Sequence, residues 1–305
     1  MTSKDGRIEP QDWSLLGLLA VLWGGSFVFN GLALKELPPL TLVLLRVGLA
    51  ALILLPVLRL RGLGFPKGVA GWRPFFAVAL FNNVVPFSLI VIGQTFITSG
   101  LASVLNATTP LFTIIVMAAA GEERLSTRRI AGLIAGLVGV VILRGAPDLD
   151  RSGGFGILFG LGAALSYGIA GLLARRTLAH SPPLATATFQ LLASSLMMLI
   201  VAALVDRPWT LVMPGLQTWF AVIALAALST ALAYIVFFQI LRRSGATNVA
   251  LVTLLIPVTA IVLGAWLLGE SIALREAIGA AVIGSSLLVI DGRIFKWLRP
   301  SARAV

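Results

Sequence analysis

The 305-residue sequence has no cysteine, a single histidine and few charged residues. Without cysteine the chain has no disulfides and no thiolate metal ligands, and His180 alone builds no histidine cluster for a metal. Charged residues make up 11% of the chain, whereas soluble domains carry about 25%. Hydrophobic residues make up 58% and the mean hydropathy is +1.01. A soluble fold is therefore excluded.

Patterns typical of active sites are also missing. The sequence has no paired mid-segment carboxylates, no Ser/His/Asp set and no phosphate-binding loop of the Gly-x-x-x-x-Gly-Lys type. We therefore predict no enzyme activity, no cofactor, no metal and no direct use of ATP. Glu122, Glu270 and Asp291 all sit at segment ends, so an obvious proton relay is missing. Our hypothesis is facilitated movement of a solute down its gradient.

The chain does contain a series of apolar segments, most of them near the roughly 20 residues that cross a bilayer as a helix. The predicted fold class is all-α: a polytopic membrane protein with ten transmembrane helices. The predicted spans are residues 13–34, 39–58, 73–97, 100–120, 128–145, 153–175, 183–205, 215–241, 245–268 and 274–292.

The basic residues predict the orientation of these spans. A net charge of +11 would suggest nucleic acid in a soluble protein, but here Lys and Arg are spread between the apolar segments. With the N-terminus in the cytoplasm, most of the 23 Lys and Arg residues fall on the cytoplasmic side. We predict both termini to be cytoplasmic, a lipid bilayer around the chain and no nucleic-acid partner.

The two halves of the sequence resemble each other. A shift of about 145 positions aligns Gly24 with Gly168 and Pro110 with Pro257, with further matches in order along each half. Because each copy has an odd number of spans, the copies run in opposite orientations. We predict two inverted five-helix repeats, residues 13–147 and 148–292, between cytoplasmic tails of residues 1–12 and 293–305.

Polar and aromatic residues inside the spans are candidates for a central solute cavity, because such groups usually face a cavity or a neighbouring helix. The alternative for the hydroxyls is a bond to their own helix, and for the rings plain packing. The candidate cavity residues are Trp23, Asn83, Phe87, Gln94, Ser103, Asn106, Thr109, Tyr167, Thr230 and Tyr234.

Four further residues stand out within the spans. Arg46 is placed near the outer mouth, where it snorkels outward, bonds to loop carbonyls or attracts a solute carboxylate. Pro86, Pro110 and Pro257 each remove a helical hydrogen bond, so they are candidate kinks or hinges.

The ordered pair of motif sets resembles the drug/metabolite transporter superfamily, in its ten-helix EamA-type branch, and is similar to YddG-like amino-acid exporters. The second half departs from this pattern at Gln190, which occupies the position equivalent to Arg46 and carries no charge. The residues that carry the resemblance are Trp23-Gly24, Pro38-Pro39, Arg46, Pro110, Gly121-Glu122 and Gly132, then Tyr167-Gly168, Pro182-Pro183, Pro257, Gly269-Glu270 and Gly279.

The resemblance implies an alternating-access carrier in a bacterial inner membrane. Its small-molecule substrates would be amino acids, aromatic or of a broad range, or related metabolites, exported through a central cavity. An exporter of drugs or other metabolites and a membrane channel are the alternatives. The sequence leaves the solute, the direction of net transport and the choice between monomer and homodimer open.

Overall fold

The structure, a computed structural model, describes residues 10–123, 126–144, 151–244, 249 and 251–291. The predicted C-terminal tail and the first nine residues of the N-terminal tail lie outside this part of the chain. The described residues form ten helical spans: α1 (Pro10–Ala33), α2 (Pro39–Leu60), α3 (Gly68–Gly93), α4 (Ser99–Ala119), α5 (Thr127–Arg144), α6 (Arg151–Thr177), α7 (Pro183–Val205), α8 (Leu216–Arg243), α9 (Val252–Leu268) and α10 (Leu274–Asp291).

The all-α membrane fold is thus confirmed. Seven of these helices are long and apolar enough to cross a membrane, and the shorter apolar helices are Arg129–Ile142 and Val252–Leu268. The α3 helix runs over Gly68–Gly93 instead of 73–97, so both of its ends lie earlier in the chain than predicted. It ends early because the chain turns after Gly93, and the Thr98 hydroxyl then caps α4 by accepting the N–H of Leu101 at 3.2 Å.

Successive helices alternate in direction, which gives the bundle two ends. We call them the Ser99 end, where α4 begins, and the Arg176 end, where α6 finishes. The α2, α4, α6, α8 and α10 helices begin at the Ser99 end, and the others finish there.

Helix packing follows the repeat. The equivalent helices α2 and α7 pack on each other, as do α5 and α10. The α1 helix packs on α9 as α6 packs on α4, and α3 packs on α6 as α8 packs on α1. Because each contact has an equivalent in which the halves exchange places, the two repeats are related by a pseudo-two-fold axis.

Two glycines show this relation in atomic detail. A Cβ on Gly24 would lie 2.0 Å from the Thr259 hydroxyl, and one on Gly168 would lie 3.1 Å from the backbone of Phe112 and Thr113. These glycines are repeat equivalents. Gly24 lets α1 approach α9 of the other half, and Gly168 lets α6 approach α4 of the other half. Small residues at such crossings allow close helix packing in membranes.

Each half also contains one π-helical segment, a feature that the sequence did not reveal. Leu80–Val84 interrupts α3, and Ala227–Leu232 interrupts α8 at the equivalent place. Because π segments inside α-helices are rare and are frequent at functional sites, the pair directs attention to the region between them.

The three candidate hinge prolines lie in different settings. Pro86 lies in the first turn of the α-helical part that follows the π segment of α3, where a missing N–H is tolerated. Pro257 lies inside a continuous α9. It also lines an open apolar groove of about 320 Å³ between α4, α9 and α10.

Pro110 accompanies a real break. The α-helix of α4 stops at Asn106 and resumes at Thr109, with a turn at Ala107 and Thr108 between them. Pro110 has no N–H for the Asn106 carbonyl, and the Thr109 hydroxyl donates to that carbonyl instead at 2.7 Å. The repeat equivalents Pro110 and Pro257 therefore differ: the first lies at a break, and the second in a continuous helix.

Candidate functional site

A buried arginine lies between the two halves. Arg46, on α2, is only 6% exposed, and its Nε donates to the hydroxyl of Thr230 at 3.1 Å. Its guanidinium carbon lies 3.8 Å from the centre of the Phe87 ring, a cation–π contact that contributes about 0.5–2 kcal/mol. Arg46 is therefore deep in the bundle, together with two of the candidate cavity residues.

Among the described residues, this guanidinium has no carboxylate beside it. Its hydrogen bond to these residues goes to the Thr230 hydroxyl. Tyr167 and Tyr234 pack against the same apolar core as Phe87. A buried charge without a counter-ion is costly. The terminal amino groups of Arg46 thus remain as donors for an anionic group.

A second set of bonds holds the α3 π segment. Asn83 is fully buried; its Nδ2 donates to the Ser194 hydroxyl at 2.9 Å, and its Oδ1 accepts from the Tyr234 hydroxyl at 3.2 Å. Ser194 in turn donates to the Gln190 carbonyl. We call Arg46, Asn83, Phe87, Ser194, Thr230 and Tyr234 the Arg46 cluster.

The repeat relates the two polar contacts at the centre. Arg46 on α2 bonds to Thr230 in the π segment of α8, and its equivalent Gln190 on α7 accepts from Asn82 Nδ2 in the π segment of α3, at 2.9 Å. One contact therefore carries a positive charge and the other an amide. This asymmetry gives the centre one charged and one neutral side.

Aromatic rings extend the cluster towards α1. The ring of Tyr234 stacks on that of Phe238. The ring centres of Phe238 and Phe237 lie 5.1 Å apart, and those of Phe237 and Trp23 lie 5.6 Å apart. Tyr167 packs against both of the large apolar cores of the bundle. Trp23 and Tyr167 therefore lie near the centre, with apolar surface beside the polar cluster.

Gln94 lies apart from this group, at the Ser99 end. Its Nε2 donates to the Phe27 carbonyl at 2.8 Å and to the Ser99 hydroxyl at 3.1 Å, and its Oε1 accepts from Asn30 at 2.9 Å. Asn30 is fully buried, and its Oδ1 has no partner among the described residues. We call Asn30, Gln94, Ser99 and the neighbouring Glu270 the Gln94 cluster.

The hydroxyls along α4 bond mainly to their own helix. Ser103 donates to the Gly100 carbonyl at 2.6 Å, Thr109 to that of Asn106, and Thr113 to that of Thr109. The local alternative therefore accounts for their hydrogen bonds. The side chain of Asn106 differs, because its buried Oδ1 has no partner in the part of the chain that the structure describes.

Asn83 is expected to matter for stability in a way that Asn106 does not. Asn83→Ala leaves Ser194 without its donor and Tyr234 without its acceptor, and each buried unsatisfied group costs about 1–3 kcal/mol. We expect a melting temperature lower by several degrees in detergent. Asn106→Ala removes an oxygen without a partner among the described residues and is the matched control. Equal melting temperatures for the two variants would contradict this network.

Several polar residues that join these clusters were not among the sequence candidates: Asn30, Asn82, Gln190, Ser194 and Glu270. Two of them carried a usable signal, since Asn82 directly precedes Asn83 and Asn30 lies within an apolar span. Ser194 carried none, because a serine that also bonds to its own helix is common in membrane spans.

Ion pairs connect the halves at the Arg176 end. Arg176 Nε donates to Glu122 at 2.8 Å, and Arg243 Nε donates to Asp12 at 2.9 Å. The hydrogen bond from Arg176 holds the pKa of Glu122 below its ordinary value of 4.5. This pair therefore stays intact above that pH and is lost only as the pH falls through the lowered pKa.

Comparison with known proteins agrees with this architecture. A solved structure covers 95% of this chain and is itself covered completely, with a TM-score of 0.67 at 20% sequence identity, which shows a shared fold. Among curated proteins, the uncharacterized transporter YoaV of Bacillus subtilis is 26% identical over 279 residues, covering 88% of this chain and 93% of its own length.

Two other relatives come from enteric bacteria. The uncharacterized inner membrane transporter YedA of Escherichia coli K12 is 26% identical, over 94% of this chain and 92% of its own length. A probable amino-acid metabolite efflux pump of Salmonella typhimurium is 26% identical, over 92% and 95%. The profile of one family matches the chain twice, over residues 12–145 and 154–290. The chain therefore belongs to the EamA-like transporter family.

Proposed function

We propose that this transporter exports amino acids or related small carboxylated metabolites by alternating access, with the Arg46 cluster as the solute site. The observation that carries the proposal is the buried guanidinium of Arg46, which has no carboxylate partner among the described residues. Inside a membrane protein such a charge usually marks a substrate or ion pathway. A solute carboxylate would supply the missing counter-ion.

The neighbourhood of Arg46 favours a zwitterionic or anionic organic solute. A guanidinium suits the two oxygens of a carboxylate, and a phosphate dianion would need more basic groups than this single one. The rings of Tyr234, Phe238 and Trp23 offer apolar surface for the rest of the solute. The positive charge disfavours cationic drugs and amines.

The charge pattern supports an orientation of the bundle in the membrane. Basic residues gather at the Arg176 end, including exposed Arg59, Arg61, Lys67 and Arg73, which supports a cytoplasmic position for that end and for both termini. The solute would then leave at the Ser99 end. The relative named as an inner membrane transporter supports a bacterial inner membrane.

The test pairs amino acids with their decarboxylated amines in proteoliposomes. Labelled leucine and phenylalanine are compared with isopentylamine and phenethylamine, as substrates and as competitors. We expect saturable entry of at least one amino acid and at least tenfold weaker competition from its amine. Amines that compete as well as the amino acids would instead indicate a drug or amine exporter.

A further inference from the structure

A glycine–glutamate pair occurs at the same place in both repeats. Gly121 and Gly269 follow the last turns of α4 and α9 with φ of 72° and 67°. This left-handed conformation costs glycine little and ends each helix. The residues that follow, Glu122 and Glu270, thereby lie at opposite ends of the bundle.

The two carboxylates bind different groups of the opposite half. Glu270 accepts the backbone N–H of Ser99 at 2.9 Å and of Gly100 at 3.3 Å, so it caps the first turn of α4. Glu122 pairs with Arg176 in the last turn of α6. The Glu270 carboxylate suits the positive N-terminal end of α4, and the Arg176 guanidinium suits the negative C-terminal end of α6.

Glu270 is connected to the interior. The Ser99 whose N–H it binds also donates its hydroxyl to the Phe27 carbonyl at 3.1 Å and accepts from Gln94. Gln94 in turn accepts from the buried Asn30. One carboxylate from the second half therefore completes a network of α1, α3 and α4 in the first half.

Two other carboxylates cross between the halves at this end. Asp206 accepts the backbone N–H of Thr41 at 2.7 Å, and Glu36 accepts that of Gly215 at 2.7 Å. They cap α2 and α8, but neither bonds to the Gln94 cluster. Glu270 is thus the member of this set that links the end of the bundle to buried polar groups.

We propose that Glu270 is a positioning residue of the transport cycle, whose carboxylate holds the Ser99 end closed by capping α4. For the solute to leave at this end, Glu270 has to release Ser99 and Gly100, which frees α4 to separate from the α9–α10 loop. The proposal rests on the proposed function only in that a carrier has to open this end.

The absence of native cysteine makes the test direct. Ser103→Cys places a thiol one turn inside the cap, at a fully buried position, and Thr113→Cys reports on the far half of α4. Each is combined with Glu270→Gln, Glu270→Ala and the control Glu276→Gln. Glu276 is partly exposed and, among the described residues, accepts the N–H of Ala273 at its own helix start. The probe is a membrane-impermeant, positively charged methanethiosulfonate.

We expect Glu270→Ala to raise the labelling rate of Ser103→Cys at least tenfold, Glu270→Gln to raise it less because it keeps one acceptor, and Glu276→Gln to leave it unchanged. The labelling rate of Thr113→Cys should not rise. An unchanged rate at Ser103→Cys in both Glu270 variants would overturn the proposal, and so would equal rises at both thiols, which indicate general loosening. Because labelling needs no solute, its failure is separate from a failure of amino-acid transport.

Discussion

Arg46→Gln is expected to weaken saturable amino-acid transport strongly while leaving a folded protein. A hydrogen bond to a charged group contributes about 1.5–3 kcal/mol, so losing the guanidinium should weaken carboxylate binding by roughly 10- to 100-fold. Arg46→Lys keeps the charge but loses the planar fork, so it should fall between wild type and Arg46→Gln. Initial rates of labelled amino-acid entry over a concentration series measure this effect.

Stability separates this role of Arg46 from a structural one. A buried charge without a counter-ion costs free energy, so Arg46→Gln should melt at or above the wild-type temperature. Arg59→Gln, on the same helix but exposed at the Arg176 end, removes the same charge and should transport normally. Normal transport by Arg46→Gln, or a large drop in its melting temperature, would contradict a substrate-binding role.

Gly168→Leu is expected to prevent correct packing of the two halves. Its Cβ would lie 3.1 Å from the backbone of Phe112 and Thr113, which cannot move aside as a flexible side chain can. Overpacking costs about 1–3 kcal/mol where side chains adjust, and more is expected where two helices must separate. The yield of monodisperse protein and its melting temperature should both fall.

The neighbouring Gly171 supplies the control for this substitution. A Cβ there would meet only Met117 Cε, at 3.9 Å, so Gly171→Leu should be tolerated. Gly24→Leu, at the equivalent crossing of α1 on α9, should repeat the defect of Gly168→Leu. If Gly168→Leu and Gly171→Leu melted together, the close crossing of α6 on α4 would be refuted.

The helices and the repeat were predictable because both depend on composition and order along the chain. Apolar segments of membrane length predict spans, and the match of Gly24 with Gly168 reflects a close crossing that each half needs. The end of α3 was predicted too late, because the chain turns after Gly93 and the Thr98 side chain caps α4. Hydropathy does not indicate this cap at the end of an apolar segment.

The partners at the site were not predictable in the same way. Nothing local in the sequence indicates that Arg46 meets Thr230, 184 positions away, or that α3 and α8 contain π segments. The register of backbone bonds depends on tertiary packing. For the hydroxyls of Ser103 and Thr109 the local rule prevailed, since a bond to the preceding turn needs no partner helix.

Counterflow in proteoliposomes tests the central claim, a carrier with one solute site reached alternately from two ends. Vesicles loaded with an unlabelled amino acid that the protein carries are diluted into a trace of the same labelled amino acid. We expect the label to accumulate transiently above its equilibrium level, and Arg46→Gln to remove this overshoot. Linear entry that neither saturates nor responds to internal amino acid would contradict a carrier mechanism and indicate a channel.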